Sequence, residues 1–213
     1  MHKYLVEFLG TFFFVLTIGL AGVLGTAGPY APLAIGAILM VMIYAGGVIS
    51  GAHYNPAVTL AIRLRGRLAA GDVAPYVGVQ LLAAVLAAAL LKGVFVSAVA
   101  GAELRAFIFP SASAAALSEF LFSFALVHVI LHVTTSKRME GNEFYGLAIA
   151  LTVVGGGFAV GSLSLASFNP AVSMALLVLG VLPAGGAWTH FVPQLLAAVL
   201  AALTFAVLNP DDP

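Results

Sequence analysis

Long apolar stretches separated by short polar breaks run the whole length of the chain. A helix that crosses the hydrocarbon core of a bilayer needs about 20 apolar residues at about 1.5 Å each. Six stretches bounded by charge, Pro or Gly meet this requirement: Tyr4–Leu24, Leu33–Ile49, Tyr76–Val99, Ala114–Thr134, Tyr145–Gly161 and Ala187–Leu208. The first is longer than the apolar core of a signal peptide and five similar segments follow it, so it is read as a permanent span. Two further apolar stretches, Asn55–Leu64 and Asn169–Leu179, would give only about 15 Å of helix, half the hydrocarbon thickness. Neither crosses alone.

Composition agrees with lipid as the main solvent. Of 213 residues, 62% are hydrophobic and 8% charged, against about 45–50% and 25% in soluble domains. The formal net charge of +0 and the lack of a basic block give no electrostatic basis for a nucleic-acid partner. With no cysteine, thiol chemistry and Cys-based metal sites are excluded. In a six-span arrangement starting inside, Lys3, Arg63, Arg65, Arg67, Lys137 and Arg138 fall on one side, Arg105 falls opposite and Lys92 lies within the third segment. Both termini are therefore expected in the cytoplasm. The Arg63–Arg67 cluster also suits anionic lipid headgroups.

The chain repeats itself at one offset. Gln80–Ala88 and Gln194–Ala202 both read QLLAAVLAA, and Asn55–Val58 and Asn169–Val172 both read NPAV, each pair 114 residues apart. Glu7–Leu16 (EFLGTFFFVL) resembles Glu119–His128 (EFLFSFALVH) at an offset of 112. One domain made of two units, about 1–100 and 114–213, is expected. Each unit holds three spans, and an odd number inserts the second copy upside down, giving an inverted repeat.

In that arrangement the two short segments dip in from opposite faces and meet near the midplane. Asn favours the N-cap and Pro the first helical position, so each NPAV starts a helix. Two positive dipole ends, each worth about half a charge, then converge beside the amides of Asn55 and Asn169 and repel cations. Non-helical backbone is tolerated at this depth only where it is buried or lines a watery cavity. Ser50–Tyr54 and Ser162–Phe168 are thus expected to offer carbonyls to a path for neutral polar molecules, with proton relay interrupted at the asparagines.

These residues resemble the aquaporin and glycerol-facilitator family, the major intrinsic proteins. Glu7-Phe8-Leu9-Gly10-Thr11 and Ser50-Gly51-Ala52-His53-Tyr54-Asn55-Pro56-Ala57-Val58-Thr59 carry the match in the first half, and Ser167-Phe168-Asn169-Pro170-Ala171 in the second. The resemblance covers essentially the whole chain, including Gln80, Glu119 and Gln194. It implies an all-α membrane protein with six transmembrane helices and two re-entrant half-helices, one pore per subunit, a homotetramer, and a location in the cell membrane. It implies a passive channel for water and small uncharged solutes, with no enzyme activity, no cofactor and no metal.

One departure bears on selectivity. The family usually follows the second NPA with Arg; here that position is Val172. Ungapped counting puts the other selectivity-filter positions at Ile35, Gly157 and Ala166. Val in place of Arg removes five donors and a fixed charge, and Gly157 and Ala166 remove bulk, so the mouth is expected to be wide and dry. Such a filter favours small polyols, undissociated metalloid acids, peroxide or gases. A facilitator of polyols or metalloid acids with little role for water is one alternative, and a non-conducting structural membrane protein is another.

Other polar residues are assigned more modest roles. Glu7 and Glu119 lie inside apolar spans, where ionisable groups ordinarily mark function; their equivalent placement suits accepting hydrogen bonds from the re-entrant backbone. Gln80 and Gln194 are read as inter-helix hydrogen bonders. Gly51, Ala52 and His53 are expected to line the cytoplasmic half of the path. His128 and His132 have metal-ligand spacing but no acidic residue at the right step to complete a site. Gly155, Gly156 and Gly161 are read as close-approach residues.

Overall fold

The computed structural model describes residues 1–212. Among these, the main helices are α1 (His2–Thr17, prolonged by a π-helical turn over Ile18–Val23), α2 (Ala31–Ser50), α3 (Pro56–Leu64), α4 (Ala70–Leu90, prolonged by a π-helical turn over Leu91–Phe95), α5 (Ala112–Thr135), α6 (Tyr145–Ser164), α7 (Pro170–Val178) and α8 (Trp188–Leu208). Six of them, with their extensions, are long and apolar enough to cross a membrane. The other two, α3 and α7, have nine residues each, about 13 Å of helix.

Two boundaries differ most from the pattern-based reading, and Ser50, expected in the first non-helical segment, closes α2. The third span starts at Ala70, with Pro75 inside the helix. Pro75 leaves the Gly71 carbonyl without its helical partner, and Gly71 is exposed near the helix start, where that loss is cheap. The fifth span continues to Ser164, so the second non-helical segment begins at Leu165 and matches the length of Gly51–Tyr54. Ser162 and Ser164 are helical; Ser162 is exposed, and the buried Ser164 hydroxyl donates to Glu119.

The two halves pack by the same rules and then exchange parts. In the first, α1 packs on α2 and α4; in the second, α5 packs on α6 and α8. The half-helix α3 lies against α8 of the other half, and α7 lies against α4. The halves also meet where α2 crosses α6, and there Gly36 is essential: a Cβ on it would collide with Val154 and approach the Ala150 carbonyl at 3.2 Å.

Outward faces are apolar. Leu5, Leu9 and Phe13 form an exposed helical stripe on α1, and Leu196, Leu200 and Leu203 one on α8. An exposed stripe of this kind is stable only when lipid or another apolar surface covers it. Inside, the core is built around the half-helices: Ala57, Ala61 and Ala171 are 0% exposed, because small side chains let α3 and α7 approach their neighbours closely.

Candidate functional site

Two loops of four residues, 51–54 and 165–168, precede the half-helices, and both use left-handed backbone at equivalent places. Ala52 (φ 50°) and Tyr54 (φ 49°) match Ala166 (φ 49°) and Phe168 (φ 49°), while Gly51 (φ 84°) matches Leu165 (φ 70°). Left-handed φ costs a non-glycine residue about 1–2 kcal/mol, so five such residues persist only because other contacts hold them.

Two buried carboxylates supply those contacts. Glu7 Oε1 accepts from Ser50 Oγ at 2.7 Å and His53 N at 2.9 Å; Oε2 accepts from Tyr54 N at 2.7 Å and Gln80 Nε2 at 2.8 Å. In the second half Glu119 Oε1 accepts from Ser164 Oγ at 2.7 Å and Ser167 N at 2.9 Å, and Oε2 from Phe168 N and Gln194 Nε2, both at 2.8 Å. Both glutamates are 0% exposed. Four donors around each take the place of its hydration shell.

Asn55 and Asn169 cap their half-helices and tie the halves together. Asn55 Oδ1 accepts from Ala57 N at 2.9 Å, and Asn169 Oδ1 from Ala171 N at 2.8 Å. Asn55 Nδ2 donates to the Phe168 carbonyl at 2.9 Å, and Asn169 Nδ2 donates to the Tyr54 carbonyl at 2.8 Å. Each amide nitrogen carries two hydrogens. The cross-link uses one, and both asparagines border the large cavity with the other free to face its contents.

That cavity, about 910 Å³, is lined by residues from Lys3, Arg67 and Lys137 to Asn55, Ser167 and Asn169. Gly51, Ala52, His53 and Tyr54 make its polar wall; Leu39, Ile43, Ile130, Ile149 and Val153 are among its apolar ones. His53 is 8% exposed, and its Nδ1 lies 3.1 Å from Thr59 Oγ1. The lining thus combines the residues of the 51–54 loop with apolar side chains.

The four residues expected at a selectivity filter lie elsewhere, and none borders the large cavity. Gly157 faces Pro32 on α2, where an added Cβ would sit 3.0 Å from the Pro32 Cβ, one turn before half-buried Ile35. Ala166 sits in the second loop. Val172, 2% exposed, borders a void of about 10 Å³ with Val15, Ile18, Val23, Leu91 and Leu179. Of the neighbouring glycines, Gly156 receives the ring of Phe168, whereas Gly155 and Gly161 have nothing within 4 Å of an added Cβ.

Residues that pattern reading missed complete the cradle. Tyr76 donates to the Ser50 carbonyl at 2.8 Å, and His190 Nε2 lies 2.7 Å from the Ser164 carbonyl. Gln80 Nε2 also donates to Thr59 Oγ1 at 3.0 Å, as Gln194 Nε2 does to Ser173 Oγ at 2.9 Å. The offset of 114 relates every one of these pairs, and extending it beyond the identical residues would have found them. His128 and His132 have ring centroids 4.2 Å apart, with His132 Nδ1 2.8 Å from the His128 carbonyl. Among the described residues no third His, Asp or Glu joins them.

Comparison with known proteins gives one answer. The family model described as Major intrinsic protein matches residues 1–164. A glycerol uptake facilitator protein-like 6 of Lactiplantibacillus plantarum is 36% identical over 224 residues, covering 100% of both chains. Aquaporin NIP1-1 of Arabidopsis thaliana is 34% identical over 235 residues, covering 100% of this chain and 75% of its own. Among solved structures, the aquaglyceroporin from Plasmodium falciparum superposes with a TM-score of 0.83 at 20% identity, covering 98% of this chain and 97% of its own.

Proposed function

The chain belongs to the major intrinsic protein family, and from that premise we infer that it is a passive transmembrane channel for water and small uncharged solutes. The observation that carries this reading is the 910 Å³ cavity that ends at Asn55 and Asn169, beside the N-termini of both half-helices. Solute sheds part of its hydration against the carbonyls of 51–54 and 165–168, and passes the asparagines under two converging positive dipole ends. Cations and relayed protons are opposed there. No bond is made or broken, so the protein works without a chemical step.

The finer features belong to the same proposal. Two inverted repeats, about 1–100 and 114–213, form one channel domain. Ile35, Gly157, Ala166 and Val172 form an uncharged filter beyond the asparagines that admits solutes larger than water. Both termini and the basic loops face the cytoplasm of a cell whose membrane holds the protein as a homotetramer, with a channel in every subunit. Glycerol is the first solute to test, because a relative matched along its full length carries that name.

The test is osmotic. Proteoliposomes in a stopped-flow instrument should swell in gradients of water, glycerol, urea or a neutral metalloid acid, without carrier-like saturation and with low activation energy. Permeability equal to that of empty liposomes for all four would overturn the reading.

A further inference from the structure

The turn that follows each half-helix has the same backbone and opposite chemistry in the two halves. After α3, Arg65 N donates to the Ala61 carbonyl at 2.8 Å and Arg67 N to the Ile62 carbonyl at 3.0 Å. After α7, 114 residues on, Leu179 N donates to the Ala175 carbonyl and Val181 N to the Leu176 carbonyl, both at 2.9 Å. Leu179 and Val181 are buried. The fold thus closes this turn with apolar side chains in one half, and a buried guanidinium, costly to desolvate, answers in the other to something besides packing.

Arg65 is arranged for an oxyanion larger than the one it holds. Its Nη2 donates to Asp212 Oδ1 at 2.6 Å and, more weakly, to the Thr135 carbonyl at 3.4 Å. Its Nε, on the same edge of the guanidinium as Nη2, is buried without a partner. Such an edge is satisfied by two parallel hydrogen bonds to one acceptor group. Asp212 does not supply the second, because its Oδ2 accepts from Lys137 N at 2.7 Å. Arg67 Nη2 stands 3.6 Å from Oδ1, beyond hydrogen-bond distance, on a side chain that is 45% exposed. The two oxygens of a carboxylate therefore leave one buried donor unused and a second guanidinium half engaged, whereas a tetrahedral oxyanion has further oxygens for both.

Asp212 is a tethered occupant. Asn209 stays with α8 through its bonds to the Phe205 carbonyl, and beyond it the segment is anchored by the Asp212 carboxylate. When that segment leaves, exposed Asp211 leaves with it, and exposed Lys137 and Arg138 stay beside the vacated donors. We propose that Arg65, Arg67 and the Lys137 amide form a phosphate-binding site that Asp212 fills in its absence: a phosphate group, free or on a lipid headgroup, displaces the carboxylate and takes the Arg65 Nε donor as well.

The test uses the full chain in phosphatidylcholine nanodiscs at neutral pH and measures no flux, so it stands apart from the channel reading. Calorimetric titration with inorganic phosphate compares wild type, Asp212→Ala and Arg65→Leu, the last copying the side chain that Leu179 places at the equivalent turn. With the site vacated in about a tenth of wild-type molecules, Asp212→Ala should bind phosphate about tenfold more tightly than wild type, and Arg65→Leu should not bind it. Arg67→Gln, at a half-exposed position, should weaken binding without disturbing the fold. In the lipid arm phosphatidic acid is added to the nanodiscs, and the unfolding temperature of Asp212→Ala should rise while that of Arg65→Leu stays put. An effect of phosphate alone assigns the site to the soluble ion, an effect of phosphatidic acid alone assigns it to a headgroup, and both together show that either fills it. No tightening in Asp212→Ala together with no response to phosphatidic acid, or effects that survive in Arg65→Leu, overturn the proposal.

Discussion

Arg65 and Asp212 meet at 2.6 Å across 147 positions of chain, with the Arg65 side chain only 4% exposed. Asp212 also accepts from Lys137 N at 2.7 Å, and Arg67 lies 3.6 Å away, so one carboxylate gathers the α3–α4 connection, the α5–α6 connection and the segment after α8. Phe205 stacks under the Arg65 guanidinium at 4.5 Å. Arg67 and Lys137 also border the large cavity, so this clasp joins segments that contribute to its lining.

The clasp should respond to acid. The hydrogen bond from Lys137 N, with the Arg65 guanidinium adding to it, holds the Asp212 carboxyl below its usual range against partial desolvation. A depressed folded pKa stabilises the fold fully above the ordinary value of about 3.9, and the contribution is lost as pH falls through the folded one. Thermal unfolding in detergent should therefore show Asp212→Asn less stable than wild type at pH 7. The gap should close below about pH 4. A constant gap across that interval would show that the charge of Asp212 is not what matters.

Tyr54 fits a slot cut by two glycines. Its ring lies where a Cβ on Gly10 of α1 would be and its hydroxyl where one on Gly46 of α2 would be, and that hydroxyl donates to the Met42 carbonyl at 2.9 Å. Tyr54 itself has left-handed backbone in the first re-entrant loop, so displacing the ring moves the loop. Gly10→Ala and Gly46→Ala should each cost about 1–3 kcal/mol by overpacking, and lower flux in folded protein. Gly78→Ala, inside a helix with nothing within 4 Å of the added Cβ, is the matched control: it should raise stability by up to about 1 kcal/mol through helix propensity and leave flux unchanged.

The reciprocal bonds of Asn55 and Asn169 predict a coupled loss. Asn55→Ala removes a cap worth about 1 kcal/mol and leaves the Phe168 carbonyl without its partner, at about 1–3 kcal/mol more. Asn169→Ala does the same to the Tyr54 carbonyl. Since both act at one junction, the double variant should lose less stability than the two single losses added together, and a double-mutant cycle measures the difference. Strict additivity would mean that the two halves are held together elsewhere.

What could be read from the chain before folding follows a simple physical division. The half-helices were legible because Asn-Pro carries its own local reason for starting a helix, and because it occurs twice at one spacing. The third span's start was not, because Pro75 normally ends a helix and only the exposure of Gly71 makes it harmless there. Glu7 and Glu119 stood out as charges in apolar segments. Tyr76 and His190 did not, since a tyrosine and a histidine share no identity; only the 114-residue offset carried past the identical residues pairs them, each reaching the equivalent carbonyl, of Ser50 and of Ser164. The cross-link from Asn55 to Phe168 spans 113 positions and depends on how the halves interlock, which no local pattern records.

Val172→Arg tests where the filter lies. The void beside Val172 is about 10 Å³ and is walled by Val15, Ile18, Val23, Leu91 and Leu179, so a guanidinium has neither room nor acceptors on that side. Its five donors can be satisfied only if the side chain turns into the solute path, where it narrows the opening and adds positive charge. Glycerol, the larger solute, should suffer more than water. The ratio of glycerol to water permeability should fall by about tenfold, corresponding to about 1.4 kcal/mol of extra barrier. An unchanged ratio in well-folded protein would remove Val172 from the filter, and with it the ungapped counting that places Ile35, Gly157 and Ala166 there.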